Sequence, residues 1–281
     1  MCLRFSLIFL FNLFLFGSSF SKGIKIIKNI SYINSDKGTS NLLDIYYPEK
    51  TDGKKDVLVF IHGGSWNSGK KDTYWWLGRN FANKNIVEVN ISYSISPDTQ
   101  YPKMAADAAS ALKWVKNNIG KYGGNSNRIF VMGHSAGGHL AALINSDPQY
   151  FHDQNIQNPI YGVILNDGFG LDMYEYLLKA EKNTQTAGFM KTFDGGEEAW
   201  KKGSPLTYFD NINNPYLILV GEKTYPAIQI QSKRLYELLV AKRKPVFFKE
   251  LKNKKHIGMI SQMIFRRNKS YQIILDFMSL N

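Results

Sequence analysis

The stretch Arg128-Ile-Phe-Val-Met-Gly-His-Ser-Ala-Gly-Gly-His-Leu-Ala-Ala142 decides the architecture. Ile129 to Met132 is a short apolar run with strand character, and the residues from Ala136 onward are small and apolar, as a helix packed tightly on a sheet requires. Between them Gly133-His-Ser-Ala-Gly137 forms a Gly-x-Ser-x-Gly turn with Ser135 at its apex. A strand that bends sharply into a helix forces its apical residue into strained dihedrals and leaves no room for side chains on either flank, hence the two glycines. The serine is thrust out of the sheet beside a helix N-terminus, where developing negative charge is favoured. The five-residue pattern is weak alone, and the strand before and helix after give it its meaning.

Upstream, Val57-Leu-Val-Phe-Ile61 is a continuous apolar run, the mark of a strand buried on both faces of a mostly parallel sheet. It delivers His62-Gly63-Gly64. Paired glycines let the backbone pass close to a ligand with its N–H groups turned inward, so the amides of Gly63 and Gly64, with that of Ala136, are candidate oxyanion donors. His62 reads as a structural residue that shapes this loop. Trp66, which follows it, is expected in the pocket wall, whereas Trp75 and Trp76 read equally as core or wall.

Further along, strand and helix alternate: a helix over 74–83, a strand over 86–93, a helix over 104–119, then strands over 161–165 and 215–220, a helix from about 227 to 241 and a last strand over 245–251. This alternation predicts an α/β fold, a doubly wound and mostly parallel sheet. Ile24 to Tyr32 and Leu42 to Tyr47 suit an antiparallel entry hairpin. Regularity drops from Phe169 to about Phe209, where Tyr176, Phe189 and Phe193 are spread among charges. That segment reads as a short cap supplying apolar contacts.

The chain of 281 residues is 44% hydrophobic and 21% charged, an ordinary globular composition sufficient for a full core. Residues 1–21 combine Arg4, the apolar run Phe5 to Phe16 and a small-residue stretch ending at Ser21, the layout of a signal peptide. Residues 22–281 then form one catalytic domain, exported to the periplasm or secreted, with an uncleaved amphiphilic anchor as the rival reading. The apolar run is shorter than the roughly 20 residues a membrane span needs. The single cysteine, Cys2, lies in the segment expected to be removed, which excludes thiolate chemistry. Net charge is +12, yet the lysines are scattered and match no nucleic-acid module. The densest run, Lys242 to Lys255, contains Pro245-Val-Phe-Phe248 and reads as a buried strand with solvated ends.

Taken together, His62-Gly-Gly-Ser-Trp66, Tyr93 with Pro97, and Gly133-His-Ser-Ala-Gly-Gly-His139 resemble the esterase/lipase branch of the α/β-hydrolase superfamily, in the group holding bacterial feruloyl and acetyl esterases, prenylcysteine methylesterases and kynurenine formamidases. The similarity runs from Leu43 to His256, and the order of the motifs is more specific than any one of them. It implies a serine nucleophile, Ser135, and a histidine after the final strand. His256 fits that slot; His134 adjoins the serine, His139 lies a turn into the following helix and His152 precedes several required strands. The family pattern after the penultimate strand is Gly-x-x-Asp or Gly-x-x-Glu, and here that position is Thr224. A neutral hydroxyl cannot stabilise an imidazolium as a carboxylate does. Glu222, two positions earlier on the same turn, is read as the acid, with Asp167 at the end of the preceding strand as the alternative. The resemblance implies hydrolysis of a small-molecule or carbohydrate-linked ester through an acyl-enzyme, with no metal or cofactor. An amide-cleaving formamidase and a weakened binding protein on the same scaffold are the other readings.

Overall fold

A computed structural model describes residues 23–33, 41–50 and 52–281 of the chain; the expected signal peptide at residues 1–21 lies outside them. Eight strands form one sheet: β1 (Ile24–Ser31), β2 (Leu42–Pro48), β3 (Lys55–Ile61), β4 (Val87–Ile91), β5 (Gly124–His134), β6 (Ile160–Asn166), β7 (Tyr216–Gly221) and β8 (Val246–Leu251). Their order is β1-β2-β4-β3-β5-β6-β7-β8. The first two pair antiparallel, as expected of an entry hairpin, and β2 also runs antiparallel to β4. From β4 through β8 every pairing is parallel.

The apolar runs of the central strands are continuous because both faces are covered. Along β3, Val57, Val59 and Ile61 join one core, whereas Leu58 and Phe60 join the other. The period of two along a strand sends alternate side chains to opposite faces. The first core is covered by α2 (Tyr101–Asn118), α3 (Ala136–Ser146) and α8 (Pro226–Ala241), and the second by α1 (Trp75–Ala82), α9 (His256–Ser261) and α10 (Lys269–Leu280). This is the doubly wound arrangement expected from the sequence. Helix α10 was not anticipated, although Tyr271, Ile274, Phe277 and Met278 are its buried apolar residues and recur at helical spacing.

One strand departs from expectation. β8 is the sheet edge, with no residue of Val246–Leu251 fully buried and Phe247 43% exposed. Its apolar run serves both faces, each only in part: Phe248 packs on Tyr236 of α8, while Phe247 rests edge-on against Phe277 of α10.

A short α4 (Gln149–His152) follows α3, and between β6 and β7 the chain forms α5 (Met173–Lys179), α6 (Thr184–Thr192), α7 (Gly196–Lys202) and a 3-10 segment over Pro205–Asn211. An Asn183–Thr186 capping box starts α6. Met173, Leu177, Phe189 and Phe193 are buried and continuous with the first core, so the segment packs on the main body. Arg234 of α8 ties it down through Asp172 at 3.1 Å and Glu175 at 2.7 Å.

Candidate active site

Ser135 sits between the end of β5 and the start of α3 with φ 56° and ψ −124°. A non-glycine residue in this region stores about 1–3 kcal/mol of strain, and the surrounding packing holds it there. A Cβ at Gly133 would stand 2.1 Å from the carbonyl oxygen of Gly137, and one at Gly137 2.1 Å from that of Ile61. The elbow therefore closes against both its own helix and the neighbouring β3, which is the steric reason for the glycine pair.

His256 opens α9, just past β8, and its Nε2 accepts from Ser135 Oγ at 2.9 Å. Its Nδ1 donates to Asp167 Oδ2 at 2.7 Å. Here the expectation for the acid needs correction. Glu222 turns away from His256: its Oε2 accepts from the Asn253 amide at 2.6 Å and its carbonyl from Gln229. It fastens the turn after β7 to the turn that carries His256. Asp167, fully buried, follows β6 and reaches across the end of β7, where Oδ1 accepts from the Gly221 amide at 2.8 Å. The Thr224 hydroxyl donates to the same Oδ2 that holds His256. Thr224, at the position where the resemblance led us to expect an acid, thus contacts the carboxylate that holds His256.

The loop after β3 wraps the serine. A Cβ on Gly63 would lie 3.1 Å from Ser135 Cβ, and Gly64 takes φ +127° on the cleft wall. Ala136 is the first residue of α3, so its amide has no carbonyl a turn behind it. Gly63, Gly64 and Ala136 thus lie beside Ser135. His62 is buried, donates from Nδ1 to the Gly63 carbonyl at 2.8 Å and stacks on Tyr93 at 4.4 Å. Tyr93 in turn donates its hydroxyl to the His62 carbonyl at 2.8 Å. Burial pushes the His62 imidazole down to about 4, so it is a neutral strut.

His134, beside the nucleophile, had no expected role. Its ring stacks under His256 at 4.8 Å, and Nε2 donates to the His256 carbonyl at 3.2 Å. Burial, then the neighbouring His256, pushes it down to about 4. His139 is likewise neutral and buried, donating to the Gly203 carbonyl at 2.7 Å and accepting from Trp66 Nε1 at 3.2 Å. Trp66 is fully buried and meets Phe189 and Phe193 edge-on, so it is the floor beneath the cap and not the pocket wall expected from its position. Trp76 of α1 lines the cleft instead.

The cleft above Ser135 and His256 holds about 670 Å³. Tyr74 and Trp76 form one side, Phe169, Tyr176 and Phe189 of the cap another, and Tyr225 a third. Among the described residues the lining contains no Asp, Glu, Lys or Arg. A space of this size with a few convergent polar groups suits a neutral organic molecule of appreciable bulk.

Comparison with known proteins agrees with this fold. The chain is 31% identical over 169 residues, 59% of its length and 40% of the relative's, to the isoprenylcysteine alpha-carbonyl methylesterase of Arabidopsis thaliana. It is 28% identical over 263 residues, 86% of its length and 60% of the relative's, to the esterase LipQ of Mycobacterium tuberculosis. The chain thus spans about half the length of the curated relatives it matches. Among solved structures, esterase B of Lactobacillus rhamnosis superposes with a TM-score of 0.76 at 18% identity, over 92% of this chain and 87% of that one, which shows a shared fold. The family model described as BD-FAE matches residues 43–239, and the chain belongs to that family, within the esterase/lipase branch of the α/β-hydrolases.

Proposed function

We propose that the chain hydrolyses a carboxylic ester by acyl transfer through Ser135. The observation that carries this reading is the unbroken hydrogen-bond chain from Ser135 Oγ through His256, at 2.9 Å, to Asp167, at 2.7 Å. In the first half-reaction His256 Nε2 takes the serine proton as Oγ attacks the ester carbonyl, and Asp167 fixes the tautomer and stabilises the imidazolium. The negative charge on the carbonyl oxygen is received by the amides of Gly63, Gly64 and Ala136 at the N-terminus of α3. His256 then gives its proton to the departing alkoxide, leaving an acyl group on Ser135. In the second half water attacks that acyl carbon, the same histidine carries the proton, and the carboxylic acid leaves. The carboxylate at His256 favours this reading over a weakened binding protein. A lining of aromatic and aliphatic side chains without formal charge favours an uncharged ester with at least one large apolar group.

A fluorophosphonate probe tests it directly, because phosphonylation requires an activated serine. The label is expected on the peptide containing Ser135, and it should vanish in Ser135→Ala and in His256→Ala together with hydrolysis of an activated acetyl ester. Hydrolysis by Ser135→Ala near the wild-type rate would reject the mechanism.

A further inference from the structure

Between Leu251 and Leu275 there is no Asp or Glu, while Lys252, Lys254, Lys255, Arg266, Arg267 and Lys269 supply six positive charges. None of the six forms an ion pair with a described residue. Lys84 joins them: burial and the nearby Arg266 charge hold its ammonium below the usual lysine range. Within this basic surround stands an apolar ridge. Met259, Ile260 and Met263 face the core and anchor the segment, whereas Ile257, Ile264 and Phe265 are 66%, 51% and 73% exposed. Ile257 and Ile264 also form part of the cleft lining, so the ridge is the rim of the active site itself.

Large apolar side chains held out in water gain when they enter hydrocarbon, and flanking lysine and arginine gain from anionic headgroups. An acidic polymer would satisfy the charges and leave Ile257, Ile264 and Phe265 in water. We propose that α9 and the turn from Gln262 to Arg267 form a peripheral docking face for an anionic phospholipid bilayer, which sets the mouth of the cleft against the lipid surface. Docking goes beyond the esterase reading and does not depend on it. If both hold, ester substrates that partition into the bilayer enter the cleft from the membrane side.

The test uses the full chain with Cys2→Ser and Phe265→Cys, labelled at position 265 with an environment-sensitive fluorophore. Phosphatidylglycerol-rich vesicles should shift the emission to the blue, pure phosphatidylcholine vesicles should not, and high salt should reverse the shift. The same label at Lys121→Cys, in the turn that precedes β5 at the end of that strand remote from Ser135, should stay unchanged. Arg266→Glu/Arg267→Glu should weaken vesicle binding by at least about 25-fold, taking about fivefold per headgroup contact. Hydrolysis of a soluble short-chain ester by that variant should stay at the wild-type rate, since neither arginine lines the cleft, and this also reports intact folding. No shift with anionic vesicles, or equal vesicle binding by the double variant, overturns the proposal. So does a label already blue before vesicles are added, which would mean that a second copy or residues 1–22 cover the ridge.

Discussion

Asp167 reaches His256 because its own backbone is left-handed, with φ 55°, at the end of β6. That turn swings the carboxylate sideways over the end of β7, into the space an acid at position 224 would fill. Its two oxygens are then satisfied by the Gly221 amide, the Thr224 hydroxyl and His256. Asp167→Asn should therefore lower turnover of an activated ester by roughly 10⁴-fold, the loss seen when a triad acid is made neutral. Glu222→Gln should leave turnover near wild type and cost about 1 kcal/mol of stability, because only the hydrogen bond to the Asn253 amide is weakened. Thr224→Asp, which puts an acid where the resemblance led us to expect one, should lower activity: two carboxylates sharing one site push one pKa up and compete for His256. Thr224→Val should stay active. Steady-state rates on these four variants separate the assignments, and a silent Asp167→Asn with a dead Glu222→Gln would reverse them. Ser135 and His256 were legible because motif and chain order point to them. The acid was not, because Glu222 and Asp167 both end strands and only the dihedral of Asp167 shows which one is aimed inward.

At the scale of elements, the buried strands declared themselves through continuous apolar runs, and the same signal misled at β8. Val246-Phe-Phe reads as fully buried, but an edge strand with helices on both faces carries apolar residues for contacts that leave part of each ring in water. The cap was legible as aromatic residues without periodicity; its attachment was not, since Trp66 and His139 are 73 residues apart and meet only in the fold. One consequence concerns selectivity. Tyr176 of α5 lines the cleft and stands edge-on to Phe169 at 4.9 Å, yet it is only half-buried, so truncating it opens the cleft without hollowing the core. An aromatic contact is worth about 0.5–1.5 kcal/mol beyond burial. Tyr176→Ala should accordingly lower kcat/KM for an ester with a bulky aromatic group by up to about tenfold relative to an acetyl ester. An unchanged ratio of the two would place the large group elsewhere in the cleft.

The whole molecule carries two opposed sets of buried titratable groups, and their signs can be separated by pH. His62, His134 and His139 are each pushed by burial down to about 4 from an ordinary value of 6.5. Between those values the unfolded chain binds protons that the native state refuses, so the stability these residues contribute is complete above 6.5 and falls as the pH drops toward 4. Glu88 of β4 acts the other way. It lies fully buried beside Asp44 and Tyr46, neither of its oxygens has a hydrogen-bond partner among the described residues, and burial followed by the Asp44 charge raises its carboxyl well above 4.5. The native state thus keeps a proton that the unfolded chain releases above about 4.5, and stability declines as pH rises until the folded value is passed. Glu88→Gln removes the titration while keeping the size and polarity of the side chain. In urea unfolding at pH 5 and pH 8, the stability of Glu88→Gln relative to wild type should be greater at the higher pH, while the acid limb set by the three histidines stays the same in both proteins. A difference that does not change with pH would mean that Glu88 ionises alike in the folded and unfolded chain, and that its burial is matched by partners in solution.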